Sequence, residues 1–165
     1  MKQKFEISEA SSLQLNLIQE LAYQIWPTYY SSIISMEQVE YMLRELYSLE
    51  SLQKQLEQGQ SFYLVWEKLK AIGFMGLSEK GKNEMKLDKL YLDENYRGSG
   101  IGKKMMRKAE EICIQKNKSF LILNVNRFNP SLAFYKKSGF RIREQVDIVF
   151  GPFWLNDYVM EKEVI

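Results

Sequence analysis

A glycine-dense turn lies between an apolar run and a helical pattern in the middle of the chain. Leu90 to Leu92 end a strand-like segment, and Gly98, Gly100 and Gly102 precede an amphipathic helical repeat. Alternating glycines leave the backbone N–H groups unscreened by side chains, and a helix that begins there directs the positive end of its dipole to the same place. We therefore expect a strand–turn–helix unit whose turn binds phosphate.

Two common phosphate-binding signatures do not fit this spacing. Counting G-x-G-x-x-G from Gly98 puts Lys103 where the third glycine belongs, and no βαβ unit opens the chain. A P-loop, G-x-x-x-x-G-K-[ST], would need a glycine at Arg97 and a hydroxyl residue at Lys104. What remains is Arg97-x-x-Gly100-x-Gly102 between a strand and a helix.

Composition narrows the class of protein. A chain of 165 residues with 45% apolar residues is expected to form one domain over residues 1–165. Its formal charge of +2 gives no reason to expect a nucleic-acid partner. The N-terminal residues lack the apolar core of a signal peptide, and no apolar run approaches a membrane span. We expect a cytoplasmic protein with no membrane partner.

The chain contains no histidine and one cysteine, Cys113. The lack of histidine removes the usual general base and the usual zinc ligand, so we expect no metal site. Cys113 lies on the apolar face of a helical pattern, which favours buried packing over a nucleophilic role. Proton transfer is therefore expected to depend on Tyr, Asp, Glu, Lys or water.

The apolar periodicities predict an ordered series of elements. Strands are predicted at 4–7, as an antiparallel meander within 61–92, and at 120–125, 140–150 and 158–163. Helices are predicted from Ser11 or Ser12 to Pro27, after Ser35, from Ser48 to about Gly59, over 100–116, and from Asn129 to near Ser138. The order predicts an α/β domain with a mixed, mostly antiparallel sheet of about seven strands flanked by helices.

A second signature follows the first by one helix and one strand. It contains Asn129, Ala133, the pair Phe134-Tyr135 and the pair Gly139-Phe140. This segment resembles the N…A…F-Y-x-x-x-G-F segment of the GNAT N-acetyltransferases, and the glycine turn resembles the pyrophosphate-binding signature of the same family. The two motifs together cover residues 85–140, and the resemblance implies the GNAT fold.

The resemblance also implies acetyl-CoA as cofactor. In the family the pantetheine arm lies in a gap between two strands, which here end near Leu92 and Leu123, and it bonds to the backbone of the first strand. The positions that match its contacts are Leu90, Tyr91, Leu92 and Asn129, and Tyr135 is also expected to contact the cofactor. The positions that match the pyrophosphate contacts are Arg97, Gly98, Ser99, Gly100, Ile101, Gly102 and Lys103. Exposed N–H groups and the helix dipole give the physical reason for the latter set.

The same resemblance assigns two catalytic candidates. Tyr135 matches a tyrosine that serves as general acid for the leaving thiolate, and a phenol is protonated at neutral pH. Asp88 matches the position of a glutamate base in polyamine-acetylating members, and is one methylene shorter. A backbone N–H near Leu92 is the candidate oxyanion donor. Tyr135 as a packed core residue and Asp88 as a solvated carboxylate are the alternatives.

The acceptor is expected to be a small-molecule primary amine. The layout resembles that of the spermidine/spermine acetyltransferases, while protein or peptide amines and a non-catalytic acyl-CoA-binding module are alternatives. The segment 150–157 is unusually apolar for a turn, so we expect it to contact the substrate or a second subunit of a homodimer.

Overall fold

The computed structural model describes residues 4–165. The N-terminal segment, for which no signal peptide is expected, begins with three residues that lie outside the described part. The strands are β1 Phe5–Glu9, β2 Ser61–Glu67, β3 Lys70–Lys80, β4 Glu84–Leu92, β5 Phe120–Asn126, β6 Arg141–Phe150 and β7 Phe153–Glu163. The α-helices are α1 Leu15–Tyr29, α2 Met36–Tyr47, α3 Leu49–Glu57, α4 Ile101–Gln115 and α5 Leu132–Lys137. Short 3₁₀ turns cover Ser12–Gln14 and Glu94–Tyr96. The predicted order of elements is confirmed.

Strands β1 to β7 join one seven-stranded sheet in the order β1-β2-β3-β4-β5-β7-β6. Every neighbouring pair is antiparallel except β4 and β5, which run parallel. The β2–β3–β4 meander is therefore confirmed. The mixed, mostly antiparallel sheet flanked by helices matches the predicted fold class.

The parallel pair β4–β5 is joined only at its beginning. Glu84, Met85 and Lys86 pair with Phe120, Leu121 and Ile122, and the pairing ends there. Beyond it, β4 stays paired with β3 as far as Leu92, and β5 stays paired with β7 as far as Asn126. The sheet therefore opens between β4 and β5 toward their carboxyl ends.

The closed end of this opening is fixed by the loops beside it. The buried Lys118 donates through Nζ to the carbonyl oxygen of Gly81 at 2.8 Å and forms an ion pair with Glu79 at 3.2 Å. The N–H of Phe120 donates to the carbonyl oxygen of Asn83 at 3.0 Å. These bonds hold the first residues of the two strands in register while their ends separate.

The two faces of the sheet carry separate cores. Helix α4 packs on one face through Ile101, Met105 and Ala109, and helices α1–α3 cover the other face around Trp26, Tyr47 and Phe74. Cys113 is fully buried in the first core, where burial raises the pKa of its thiol to about 11. Its predicted packing role is confirmed. No helix within residues 4–165 has the length and apolar character needed to cross a bilayer.

Several predicted boundaries are wrong for identifiable reasons. Pro27 does not end α1, because its missing N–H removes only one bond and the N–H of Tyr30 still donates to the carbonyl oxygen of Trp26 at 2.9 Å. The first strand is Phe5–Glu9 rather than 4–7, because its pairing with β2 continues as far as Glu9.

Two further boundaries shift near the carboxyl end of the sheet. Helix α5 begins at Leu132 rather than at Pro130, since the Asn129 side chain accepts from the N–H of Ser131 and forms a turn before the helix. Strand β7 begins at Phe153 rather than 158, so the segment 150–157 is mostly strand with its turn confined to Gly151-Pro152. There Gly151 has φ +57°, and a Cβ would collide with the Tyr41 phenol of α2.

The approach of β3 to the end of β4 requires a glycine at residue 73. A Cβ on Gly73 would lie 2.8 Å from the carbonyl oxygen of Tyr91 and 3.1 Å from Leu92 Cδ1. We expect Gly73→Ala to lower the free energy of unfolding by about 1–3 kcal/mol, because the β4 backbone at Tyr91 cannot move aside as a flexible side chain could. Urea unfolding of the purified protein measures this change.

The control is Gly102→Ala, whose added methyl would meet only the Phe134 ring at an ordinary 3.6 Å. It is expected to leave the free energy of unfolding unchanged or to raise it slightly, since alanine favours a helix. Equal stability of the two variants would contradict the strand-contact explanation.

Candidate active site

Two cavities meet at the end of β4. The turn-side cavity, about 570 Å³, is bounded by the glycine turn, the end of β4 and α5. The helix-side cavity, about 470 Å³, is bounded by α1–α3, the opening between β4 and β5, and the start of β7. Both are lined by Tyr29, Leu90, Tyr91 and Tyr135. A ligand in one cavity would therefore reach a ligand in the other at these four side chains.

The glycine turn presents a free backbone to the turn-side cavity. Gly98 and Gly100 have φ of +77° and +84°, and a Cβ on either would meet no atom of residues 4–165 within 4 Å. The bond from the N–H of Lys104 to the carbonyl oxygen of Gly100, at 3.2 Å, is the first of α4. The N–H groups just before Lys104 are therefore available to a ligand, at the positive end of the helix dipole.

The predicted cofactor residues fall into three places. Leu90, Tyr91, Leu92, Arg97, Gly98, Gly100, Gly102 and Lys103 line the turn-side cavity. The side chains of Ser99 and Ile101 do not line it: Ser99 donates to the carbonyl oxygen of Tyr96, and Ile101 is buried in the core beneath α4. Their backbone N–H groups still belong to the turn. Asn129 is buried and lines the helix-side cavity.

A buried carboxylate fixes the entry to this turn. Asp93 is 3% exposed and follows directly on β4. Its Oδ1 accepts from the backbone N–H of Asn95 at 2.9 Å, and its Oδ2 accepts from Gln24 Nε2 at 3.0 Å. Asp93 thereby attaches the turn to α1, which sets where Arg97 and the glycines lie relative to β4.

Tyr135 stands between the two cavities. It belongs to α5 and packs edge-on against Phe134 and Phe140. Its phenol forms no hydrogen bond with any residue between 4 and 165, and it lines both cavities. Burial, and secondarily the neighbouring Tyr29, raise the pKa of Tyr135 above its ordinary value, so the phenol keeps its proton at neutral pH.

Asp88 lines the helix-side cavity at a β-bulge in β4. The register of β3 with β4 passes from Gly76↔Lys89 to Leu77↔Leu87, so Asp88 is an extra residue on β4. Its Oδ2 accepts a hydrogen bond from Ser78 Oγ at 2.6 Å. This bond orients the carboxylate in the cavity wall. Asp88 lines only the helix-side cavity, whereas Tyr135 lines both.

The structure adds two ionisable residues that the motifs did not identify. Asp157 on β7 lines the helix-side cavity, and burial raises the pKa of its carboxyl group. Its only signal in the sequence was its place in the apolar segment 150–157. Lys89 lines the same cavity, and its Nζ donates to Gln55 Oε1 at 2.5 Å and Gln60 Oε1 at 2.7 Å.

Comparison with known proteins agrees with this geometry. A model of the Acetyltransferase (GNAT) family matches residues 19–140. The chain belongs to the GNAT acetyltransferase family. A spermidine N(1)-acetyltransferase of Thermoplasma acidophilum is 31% identical over an alignment of 164 positions, which covers 96% of each chain.

Two further relatives bear on the GNAT assignment. A crystal structure of PaiA N-acetyltransferase from Thermoplasma acidophilum in complex with coenzyme A has a TM-score of 0.82 at 30% identity, covering 97% of this chain and 99% of that one. The peptidyl-lysine N-acetyltransferase YjaB of Escherichia coli is 33% identical over 90 residues, 53% of this chain and 54% of its own. The protein is an N-acetyltransferase that uses acetyl-CoA, as the sequence predicted.

The residues of this GNAT enzyme fit such a cofactor. The turn-side cavity carries Arg97 and Lys103 beside the free N–H groups of the turn, which suits the phosphates of coenzyme A. The unpaired edge of β4 beyond Lys86 leaves backbone groups free of strand partners, which suits an extended amide-containing arm. The opening in the sheet therefore has both the shape and the hydrogen-bonding groups that the cofactor requires.

Lys89 should make the free energy of unfolding of the acetyltransferase depend on pH. Burial lowers the pKa of Lys89 to about 8, whereas an unfolded lysine titrates near 10.4, so between these values the unfolded chain binds more protons. Over that range the stability of the wild-type protein should therefore rise relative to Lys89→Met, by up to about 2 kcal/mol.

Urea unfolding of both proteins from pH 7 to pH 10 measures this difference. Taking the difference between the proteins cancels the tyrosines, which titrate in both. A difference that does not change with pH would show that Lys89 is not protonated differently in the folded and unfolded chains.

Proposed function

We propose that the enzyme acetylates a primary amine of the polyamine class, such as spermidine, in the helix-side cavity. The observation that supports this most is the meeting of two separate cavities at Leu90, Tyr91 and Tyr135. The turn-side cavity and the adjoining opening between β4 and β5 suit the cofactor, and the rest of the helix-side cavity remains for an acceptor. The proposal treats residues 1–165 as one catalytic domain.

In this proposal the chain's own side chains handle the protons. Bound acetyl-CoA supplies an acetyl thioester, which a neutral amine attacks. Tyr135 holds at its phenol oxygen the proton that the departing thiolate requires, and the proton that the nitrogen loses as the amide forms restores the phenol through water. Asp88 attracts the incoming ammonium and accepts its proton, directly or through water. A backbone N–H on the free edge of β4 near Leu92 stabilises the negative charge that develops on the acetyl oxygen.

The wall of the helix-side cavity supports a cationic acceptor. Its aromatic side chains, which offer faces to an ammonium group, are Trp26, Tyr29, Tyr30, Tyr47, Tyr91 and Tyr135. Asp88 and Asp157 supply carboxylates on β4 and β7. Lys86 and Lys89 also line the cavity, but the Lys89 ammonium is held by two glutamine oxygens and has a pKa of about 8. The spermidine-acetylating relative points to the same acceptor class.

A homodimer and a cytoplasmic location belong to the same proposal. The edge strand β6 exposes Ile142, Ile148 and Val149 beside the exposed Trp154 of β7. An exposed apolar strand edge is a surface that a second copy can cover. Light scattering of the purified protein measures the number of subunits.

Tyr135→Phe tests the general acid. We expect kcat to fall by about 100-fold or more, because the coenzyme A thiolate must then take its proton from water. The Kd for coenzyme A should change by less than about twofold. Thiol release and calorimetry measure the two quantities. Tyr158→Phe is the control, since Tyr158 lies on β7 outside both cavities. An unchanged kcat in Tyr135→Phe would remove Tyr135 as the acid.

Asp88→Asn tests the base and the acceptor together. We expect kcat/KM for spermidine to fall by about tenfold or more, since the amide neither attracts an ammonium nor accepts its proton. The control is Asp147→Asn, whose exposed carboxylate pairs with Arg127 at 2.5 Å, outside both cavities. Equal kcat/KM in the two variants would contradict the proposed role of Asp88.

An acceptor panel decides among the candidate functions. Polyamines, lysine-containing peptides and free amino acids are each supplied with acetyl-CoA while free thiol is followed. Preferential turnover of polyamines supports the proposal. Preferential turnover of peptides would favour the peptide alternative, as in the peptidyl-lysine N-acetyltransferase YjaB. Cofactor binding without amine-dependent thiol release would favour an acyl-CoA-binding module.

A further inference from the structure

Tyr29, the last residue of α1, connects the helical layer to the loop before α5. Its phenol donates to Asn129 Oδ1 at 3.0 Å and also contacts Ser131 Oγ. The backbone N–H of Ser131 donates to the same Asn129 oxygen at 2.8 Å. Tyr29, Asn129 and Ser131 thus form a closed ring of hydrogen bonds, although Tyr29 is 100 residues from Asn129 in the chain.

Elementary hydrogen-bond chemistry fixes the direction of each bond in this ring. A carbonyl oxygen only accepts, so the single phenol proton of Tyr29 goes to Asn129, and the Ser131 hydroxyl must donate to Tyr29. Reversing the Asn129 amide would turn its NH₂ group toward the Ser131 N–H, which cannot accept a hydrogen bond. The Ser131 N–H therefore sets the orientation of the amide, and the Tyr29 hydroxyl holds it with a second bond to the same oxygen.

This orientation leaves the Asn129 Nδ2 group as an available donor. Within residues 4–165 it has no hydrogen-bond partner, and it is not among the polar atoms sealed from solvent. Asn129 itself is 7% exposed and lies in the cavity wall next to the opening between β4 and β5. The side chain is thus held rigidly with its donor group unused.

The ring of Tyr29 also contacts the other segments that face the turn-side cavity. The Arg97 guanidinium lies 5.0 Å from its centroid, in cation–π range. The Tyr91 ring of β4 packs edge-on against it at 5.9 Å. One side chain therefore touches the glycine turn, the end of β4 and the loop 129–131, which come from three separate parts of the chain.

We propose that Tyr29 is a positioning residue for acetyl-CoA: its hydroxyl orients Asn129 so that the amide Nδ2 donates to the cofactor. Tyr29 acts through Asn129 and does not itself transfer a proton in the reaction. The proposal concerns cofactor binding alone, so it stands or fails independently of the identity of the amine acceptor.

Tyr29→Phe tests this role, because it removes the hydroxyl and keeps the ring against Arg97 and Tyr91. We expect the Kd for coenzyme A, measured by calorimetry without an acceptor, to rise by about tenfold. A change of this size corresponds to the loss of one hydrogen bond, here the bond that holds the Asn129 amide. KM for acetyl-CoA should rise similarly, whereas KM for the amine should change by less than about twofold.

The matched control is Tyr23→Phe on the same helix. Tyr23 is 44% exposed, and its hydroxyl has no hydrogen-bond partner in the described part of the chain. It is expected to leave the Kd for coenzyme A unchanged. A Kd in Tyr29→Phe equal to that of this control would overturn the proposal.

A double-mutant cycle separates positioning from general destabilisation. If Tyr29 acts through Asn129, then adding Tyr29→Phe to Asn129→Ala should weaken binding no further than Asn129→Ala alone. Fully additive losses would overturn the proposal. If Asn129→Ala does not fold, Asn129→Ser serves in the cycle, and circular dichroism with melting of the ligand-free proteins confirms that each variant is folded.

Discussion

The separation of β4 from β5 after three paired residues is the constraint from which the site follows. Each strand keeps its outer neighbour over its full length, so the opening does not weaken the sheet elsewhere. Lys118 and Asn83 hold the closed end, and the bulge at Asp88 alters the course of β4 where the two strands part. A buried opening in a sheet leaves backbone groups without partners, and a ligand with extended amide character can satisfy them.

The tyrosines around the junction of the two cavities are half-buried, and their surroundings set their protonation state. Burial raises the pKa of Tyr30, Tyr91 and Tyr135 above the ordinary value, and Tyr30 and Tyr91 share a hydrogen bond of 2.7 Å between their hydroxyls. Each therefore remains a proton donor across the physiological pH range. This chain has no histidine. Proton transfer at the junction can therefore use the phenols of these tyrosines and the carboxylates of Asp88 and Asp157.

The sequence allowed the cofactor side to be predicted because that side is local. The end of β4, the glycine turn, α4 and α5 follow one another in the chain, and glycine spacing reports directly on free backbone. The wrong boundaries lie where tertiary contacts prevail over local preference, as at Pro27, where α1 continues over a packed core, and at Phe153, where β7 pairs with β6. Lys89 gave no signal, since its burial depends on Gln55 and Gln60 from another layer.

The acceptor side could not be predicted in the same way, because its residues are not contiguous in the chain. Its wall combines α1–α3, the bulge of β4 and the start of β7, and none of these segments carries a local motif. Asp88 lies in a bulge, where one extra residue in β4 shifts the register against β3, so its place in the cavity wall depends on strand pairing. Tyr29 belongs to both sides, because it ends a helix of the acceptor wall and bonds to the loop beside the cofactor opening. A change in how α1 packs would therefore alter acceptor shape and cofactor contacts together.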